Sequence, residues 1–311
     1  MVLRRFGMGL LTAFGVTIII FMLLSILPGD PLAGLLPDNA QPEDRAILAH
    51  QLGFDQPPPM RYIHWLGNLS HGDLGYSPFR RRNVSDLIEA AWENTAILAM
   101  SSALVGLGLG VIAGIGAAVY HGKWPDRVIS TLALSGLSVP SYFIAILLVI
   151  LFSAQLKWLP TAGMHSSQGG FLDFLSHLAM PLVAGSLVVF GVTARVTRAS
   201  VVETFGSDFV DLLRAKGLRS YQVLPHVMKN AASPVMTTSG LQVGALLGGA
   251  VLIETIFSWP GMGALVYTAI SARDLNVVQG ATLVIALTFV LMNLVVDLLQ
   301  MLIDPRLRRS A

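Results

Sequence analysis

Apolar residues in this chain fall in long runs. Six of them stand between charged or Pro/Gly breaks, at roughly 9–27, 96–119, 128–155, 178–200, 234–257 and 279–302. Each is long enough to span, a bilayer needing ~20 residues of helix. The pattern predicts an all-α polytopic membrane protein with six transmembrane helices. The first run follows Arg4 and Arg5 as a secretory signal would, but its apolar stretch is too long for one. It ends in Leu27-Pro28-Gly29-Asp30, not in a small-x-small cleavage site, and is kept as a helix. The fourth run is the least clean, with Pro181 near its start and Arg195 and Arg198 near its end.

Two polar segments separate the runs. Residues 28–95 are too long for a simple turn and predict an ordered lobe. Pro57-Pro58-Pro59 breaks the chain, Tyr62, Trp65 and Leu66 recur at helical spacing, and Gly72-Asp73-Leu74-Gly75 reads as a turn. The second segment is 201–233. The expected organisation is a transmembrane helix at 1–27, a lobe at 28–95, and a core of five transmembrane helices at 96–311 that contains the 201–233 loop.

Of the 311 residues, 54% are hydrophobic and only 12% charged, where soluble domains run about 45–50% and 25%. That deficit excludes an ordinary soluble enzyme. With no Cys there is no disulfide, thiolate metal site or Cys nucleophile, and a net charge of +2 gives no case for a nucleic-acid partner. What the charges do decide is orientation. Six spans place both termini on one side. That side carries thirteen cations (Arg4, Arg5, Lys123, Arg127, Arg195, Arg198, Arg214, Lys216, Arg219, Lys229, Arg306, Arg308, Arg309) against five acids. The other side has seven cations and eleven acids, nine of these between Asp30 and Glu93. By the positive-inside rule the first side, with both termini, is the cytoplasm and the lobe is external. Only Glu254 and Asp297 remain within the spans.

The 201–233 loop reads as two short helices. Ser207 can cap the first, Asp208 and Asp211 suit its positive end, Arg214 and Lys216 suit its negative end, and Gly217 stops it. Phe209, Leu212 and Leu213 form one small apolar face, which fits either a groove in a partner or the membrane and bundle beside it. Gly106, Gly110 and Gly114, and likewise Gly240, Gly244 and Gly248, recur every four residues as close-packing faces. Glu254, one turn inside the outer end of the fifth span, fits a place on a path or beside a docked protein, or an acid reaching headgroup water. Trp259-Pro260-Gly261 reads as a rigid interfacial turn with an aromatic anchor. His50, His64 and His71 are too widely spaced for a compact metal site, and no metal ligands are assigned. There is no Gly-x-x-x-x-Gly-Lys-[Ser/Thr] phosphate loop, and neither His-Glu-x-x-His nor Gly-x-Ser-x-Gly, so ATP binding, protease and lipase chemistry are not expected in this chain.

Asp211-Leu212-Leu213-Arg214-Ala215-Lys216-Gly217 resembles the coupling loop of ABC-importer permeases, with Asp-Leu-Leu in place of the usual Glu-Ala-Ala. Leu27-Pro28-Gly29-Asp30-Pro31, Leu52-Gly53-Phe54-Asp55-Gln56-Pro57, Gly72-Asp73-Leu74-Gly75, Arg195-x-x-Arg198-Ala199-Ser200, Glu254-Thr255-Ile256-Phe257-Ser258-Trp259-Pro260-Gly261 and Asp304-Pro305-Arg306 resemble the first permease subunit of the dipeptide/oligopeptide/nickel branch. Arg273-Asp274-Leu275-Asn276 departs from that branch's Arg-Asp-Tyr-Pro. The resemblance implies a type I importer architecture in the bacterial inner membrane and a non-catalytic translocation subunit without a cofactor of its own. It also implies a second permease subunit, two ATPase subunits that bind ATP and Mg, and an extracytoplasmic substrate-binding protein. Phe209, Asp211, Leu212, Leu213, Arg214, Ala215, Lys216 and Gly217 would then dock the ATPase, with Glu254, Trp259, Pro260 and Gly261 at the path or external gate. Di- or oligopeptides are the expected cargo; nickel or another metal chelate is the alternative, and an ion-coupled secondary transporter a remoter one. Because the chain has no Cys, single cysteines at Ser77 and Ser220 test the orientation: an impermeant maleimide should label only the first in intact cells.

Overall fold

The computed structural model describes residues 2–26, 35–36, 40–51, 53–166, 169–248 and 251–303. Leu27-Pro28-Gly29-Asp30-Pro31, Leu52, Asp304-Pro305-Arg306 and the side chain of Asp297 lie outside what it describes. α1 (Val2–Ile26) is followed by two short helices, α2 (Pro42–Gln51) and α3 (Pro58–Ser70). An antiparallel hairpin, β1 (Tyr76–Ser77) and β2 (Arg82–Asn83), pairs Tyr76 with Asn83 and leads into α4 (Val84–Val119). Then come α5 (Trp124–Ser138) and α6 (Ser141–Leu148), the latter prolonged by a π-helical turn, Val149–Gln155. The chain continues through α7 (Phe171–Phe205), α8 (Asp208–Ala215), α9 (Ser220–Leu247), α10 (Val251–Ile256), α11 (Met262–Ala272) and α12 (Leu275–Ile303).

Among the described residues, four helices are long and apolar enough to cross a membrane: Gly7–Ile26, Val84–Val119, Phe171–Phe205 and Leu275–Val296. The run expected at 128–155 is two helices bent by 96°, and makes a fifth span if the pair is taken together. Pro140 causes the break, having no N–H to give α5 and forcing Val139 into extended backbone (ψ 125°). The run expected at 234–257 is also divided. α9 starts earlier, at Ser220, so the second "short" loop helix is the beginning of a long one that continues through Pro225 and Pro234. It stops at Leu247 before Gly248-Gly249, and Glu254 falls on the separate α10. Asn230, Ser233, Thr237, Thr238, Ser239 and Gln242 dilute the apolar character of α9.

α4 and α7 form the axis of the bundle, packing together more extensively than any other pair. The glycine row of α4 permits this. A Cβ on Gly106 would stand 2.8 Å from the Ser186 carbonyl, one on Gly110 2.8 Å from Thr193 Cβ, and one on Gly114 2.6 Å from the Ala194 carbonyl. Gly240 and Gly244 face Val296 and Phe289 of α12 in the same way, so five of the six glycines read as packing residues do pack within this chain. Gly248 meets only its own preceding turn.

At about 1.5 Å per residue, α4 is about 54 Å long and reaches both ends of the bundle. Val84, Leu87, Ile88 and Ala91 pack with α11 and α12 at one end, and Ala118 joins Val201, Val210, Val223 and Val227 at the other. At the first end α3 lies against α1: the Tyr62 hydroxyl is 2.8 Å from Thr17 Oγ1 and its ring 5.2 Å from that of Phe21. Pro58 and Pro59 occupy the first turn of α3, where a missing N–H costs nothing. Gly72 and Gly75 take positive φ in the turn that follows, and Asp73 accepts a hydrogen bond from Gly75 N.

The hairpin is tied down as well. The Ser77 hydroxyl donates to the buried Asp274 carboxylate, and Asn276 Nδ2 donates to the Tyr76 carbonyl. Ser77 is therefore buried and unsuited to labelling; exposed His71 on the same segment is the better labelling position. Gly114→Ala should lower the midpoint of thermal unfolding in detergent, because overpacking the α4–α7 contact costs about 1–3 kcal/mol. Gly108→Ala, with no neighbour within 4 Å, should leave it unchanged or raise it slightly.

Candidate functional site

α8 is flanked by Ser207 and Lys216, with Asp208 and Asp211 in its first turn and Arg214 in its last, the order that the helix dipole favours. Ser207 does not cap it through its side chain as expected: the hydroxyl donates to the Thr204 carbonyl at 2.6 Å and closes the turn out of α7. At the other end Gly217 takes φ +85°, its N–H donating to Arg214 O (2.9 Å) and that of Leu218 to Leu213 O (3.2 Å). These two bonds form a Schellman stop, which needs a left-handed residue and hence favours glycine.

The expected face of Phe209, Leu212 and Leu213 is divided by the fold. Val210, which the sequence pattern did not single out, is fully buried on Ala118, Val223 and Val227 and anchors α8; Phe209 and Leu213 lie half-buried against the same cluster. Leu212 is the member left standing out, 57% exposed, among exposed Asp211, Arg214, Ala215 and Lys216. One side of α8 is thus held by its own bundle. The other presents a single aliphatic side chain inside a charged rim, where Asp211 and Arg214 stand 3.6 Å apart.

Glu254, Trp259, Pro260 and Gly261 come together near the opposite end of α4. Glu254 is fully buried. Its Oε1 accepts from Thr95 Oγ1 at 2.7 Å and its Oε2 from Ala264 N at 3.0 Å. Thr95 Oγ1 in turn accepts from Met262 N at 2.7 Å. The carboxylate therefore caps the N-terminus of α11 from another helix, where free N–H groups and the dipole favour an anion. It does not reach toward headgroup water.

Trp259 is likewise buried instead of serving as an interfacial anchor: its Nε1 donates to Asn94 O at 2.8 Å, and Asn94 Nδ2 donates to Pro260 O at 2.9 Å. Gly261 must be glycine here, since a Cβ would lie 2.5 Å from Glu254 Cδ and from Thr95 Oγ1. Thr95 and Asn94 are the partners that sequence reading missed, because on a long apolar helix they look like isolated polar interruptions. Beside this turn a cleft of about 500 Å³ opens between α4 and α11, lined by Arg82, Asn94, Trp259 and Tyr267 among others.

The departing motif has a structural part to play. Arg273 takes φ 58° and ends α11, and Asp274 holds Ser77 of the hairpin. Burial pushes the Asp274 carboxyl above the usual carboxylate range, while the Ser77 hydrogen bond acts in the opposite direction. Of the histidines between α1 and α4, His50 Nδ1 is 2.7 Å from Asp55 Oδ2, a bond that raises the imidazole's pKa, and His71 Nδ1 is 2.9 Å from the Gly67 carbonyl.

The family model described as "binding-protein-dependent transport system inner membrane component" matches residues 106–309, and the model of that family's N-terminal part matches residues 1–98. The chain belongs to this family of inner-membrane transport components. Among curated relatives, the glutathione transport system permease protein GsiC of Escherichia coli K12 is 39% identical over 298 residues, covering 96% of this chain and 95% of that protein. The di/tripeptide transport system permease protein DppB of Pseudomonas aeruginosa is 37% identical over 329 residues, covering 99% and 98%. The resemblance to ABC-importer permeases of the peptide branch is thereby borne out. In fold, the permease is similar to a chain of the MetNI methionine ABC transporter in an inward-facing conformation. That match has a TM-score of 0.56 at 12% identity and covers 70% of this chain and 96% of the other.

Glu254→Ala should destabilise the permease by about 3 kcal/mol, since it leaves buried N–H and hydroxyl donors without an acceptor. Glu254→Gln should cost much less, because its carbonyl can keep the backbone bonds and its amide can turn to the second lone pair of Thr95. Thermal unfolding of the two variants in detergent checks this.

Proposed function

We propose that this permease is the translocation subunit of an ATP-driven importer that carries di- or oligopeptides across the bacterial inner membrane. Its relatives, permeases for glutathione and for di- and tripeptides, favour peptides over the nickel alternative. It works beside a second permease subunit, with two cytoplasmic ATPases that hold ATP and Mg and an external binding protein that delivers substrate. α9 serves as the sixth span; its polar residues suit a helix covered by protein more than one facing lipid. Both termini and α8 face the cytoplasm, and α2, α3 and the hairpin form the external lobe.

α8 is the observation that carries the reading. A helix fixed on one side by Val210 and stopped by Gly217 moves as a rigid body with the ends of α7 and α9. Its exposed Leu212, ringed by Asp211, Arg214 and Lys216, suits a shallow cleft on a nucleotide-driven partner. Closure of that partner would then turn the bundle and open the path on alternate sides. The Glu254–Trp259–Pro260–Gly261 turn, adjoining the cleft between α4 and α11, stands at the external gate.

Leu212→Asp should abolish ATP-driven peptide uptake by the reconstituted complex while leaving the fold intact, because the residue touches solvent and not the core. Gly217→Val should weaken coupling too, forcing a β-branched residue into left-handed backbone at about 1–3 kcal/mol. Unchanged uptake and unchanged substrate-stimulated ATP hydrolysis in Leu212→Asp would remove α8 from the coupling role. Stimulation by a metal-chelate-loaded binding protein, and not by a peptide-loaded one, would replace the cargo.

A further inference from the structure

A second feature lies at the α8 end of the bundle, where α4, α5 and α7 meet. Asp126, only 3% exposed, lies in the first turn of α5 and is held by Arg198 of α7 through two bonds, Nε to Oδ1 at 2.5 Å and an Nη to Oδ2 at 2.8 Å. Gly122 N and Ser130 Oγ add bonds of 2.9 and 3.2 Å, and His121 Nδ1 stands 3.4 Å from Oδ2. The pair is self-neutralising, so it leaves the other charges at this corner unmatched. Lys123, Arg127 and Arg195 are all exposed, and among the described residues none has a carboxylate within ion-pair distance. Glu203, the next acid along α7, stands two turns beyond Arg195.

Beside Arg195 is a hollow of about 200 Å³. Ala117 of α4, Ala133 of α5 and Ala194 of α7 leave it open where larger side chains would fill it; Ile129 and Leu134 complete an apolar wall, and Arg195 and Arg198 stand at its rim. Arg127 precedes Ser130 and Leu134 on the same stripe of α5, about one turn before Ser130, which lines the slot. Trp124, 75% exposed at this edge, is the kind of side chain that settles at the headgroup level.

We infer that this groove binds an anionic phospholipid of the cytoplasmic leaflet, with part of an acyl chain in the alanine-walled slot and the headgroup phosphate between Arg127 and Arg195. Where no partner helix covers it, an apolar slot in a bilayer is filled by lipid, and unmatched cations at its mouth select one with net negative charge. The bound lipid fills the seam beside the Asp126–Arg198 pair and so braces α5 against α7, next to the turn into α8. The inference rests on the orientation proposed above, which puts this corner in the leaflet rich in anionic lipid.

The test is native mass spectrometry of the complex, assembled with its partners in phosphatidylcholine nanodiscs doped with phosphatidylglycerol. The wild type should retain phosphatidylglycerol in preference to phosphatidylcholine, and added inorganic phosphate should not displace it. Arg127→Gln with Arg195→Gln should weaken retention by roughly fivefold per charge, about 25-fold together. Leu134→Trp, which fills the slot and keeps both charges, should weaken it too. All three substitutions replace exposed side chains and leave the core intact. Unchanged retention in either variant, equal retention of phosphatidylcholine, or displacement by inorganic phosphate would overturn the site. Maleimide labelling of a cysteine at position 220 reports orientation independently, so a wrong topology and an absent lipid site give different results.

Discussion

The close approach of α4 and α7 is the constraint on which the rest of the molecule depends. In lipid there is no hydrophobic force to press two apolar helices together, so association relies on van der Waals contact and on backbones coming near enough to make it. Gly106, Gly110 and Gly114 supply that nearness along one face of α4, against Ser186, Thr193, Ala194 and Thr197 of α7. Gly185 and Gly191 extend the same closeness to Ser102 of α4 and the Ala133 carbonyl of α5. The seam is built of small residues over several turns, and it sets where both ends of α4 stand.

Each end then carries one of the two features proposed above to bear on transport. At the α8 end, Ala118 joins the valine cluster that receives Val210, so the position of α8 follows from the position of α4. At the other, Thr95 bridges Glu254 and Met262, and the turn between α10 and α11 hangs from α4 through Asn94, Thr95 and Trp259. The chain also links the two ends directly, since α8 leads into α9 and α9, after the break at Gly248, into α10. A carboxylate buried at the second end is tolerable because backbone and hydroxyl donors surround it; without them its desolvation would be prohibitive. Glu254 is therefore best understood as the fastener of that turn.

Much of this was legible from residue order alone, and for identifiable reasons. The apolar runs, the proline start of α3, the Gly72–Gly75 turn, the stop at Gly217 and the glycine rows all depend on interactions within a few residues or on the bilayer as solvent. The misreadings share a different cause. Val210 was passed over because helical spacing groups Phe209, Leu212 and Leu213, and only the cluster from α4, α7 and α9 shows which side of α8 faces inward. Ser77 looked like an exposed turn residue until the α11–α12 turn brought Asp274 to it across 197 positions of sequence. Trp259 resembled an interfacial anchor, yet its indole is enclosed by residues of α4 and α7.

By itself, the sequence determined that this protein lives in a membrane, that it is helical, which family it belongs to and where its short helix α8 begins and ends, because hydropathy, local backbone preference and motif order are properties of the chain. Tertiary structure decided that Leu212 faces out and Val210 in, that Glu254 caps α11, and that Asp126 matches Arg198 and leaves Arg127 and Arg195 unmatched. These are pairings between distant segments, and a charge or methyl group has no partner until packing has brought one within a few ångströms.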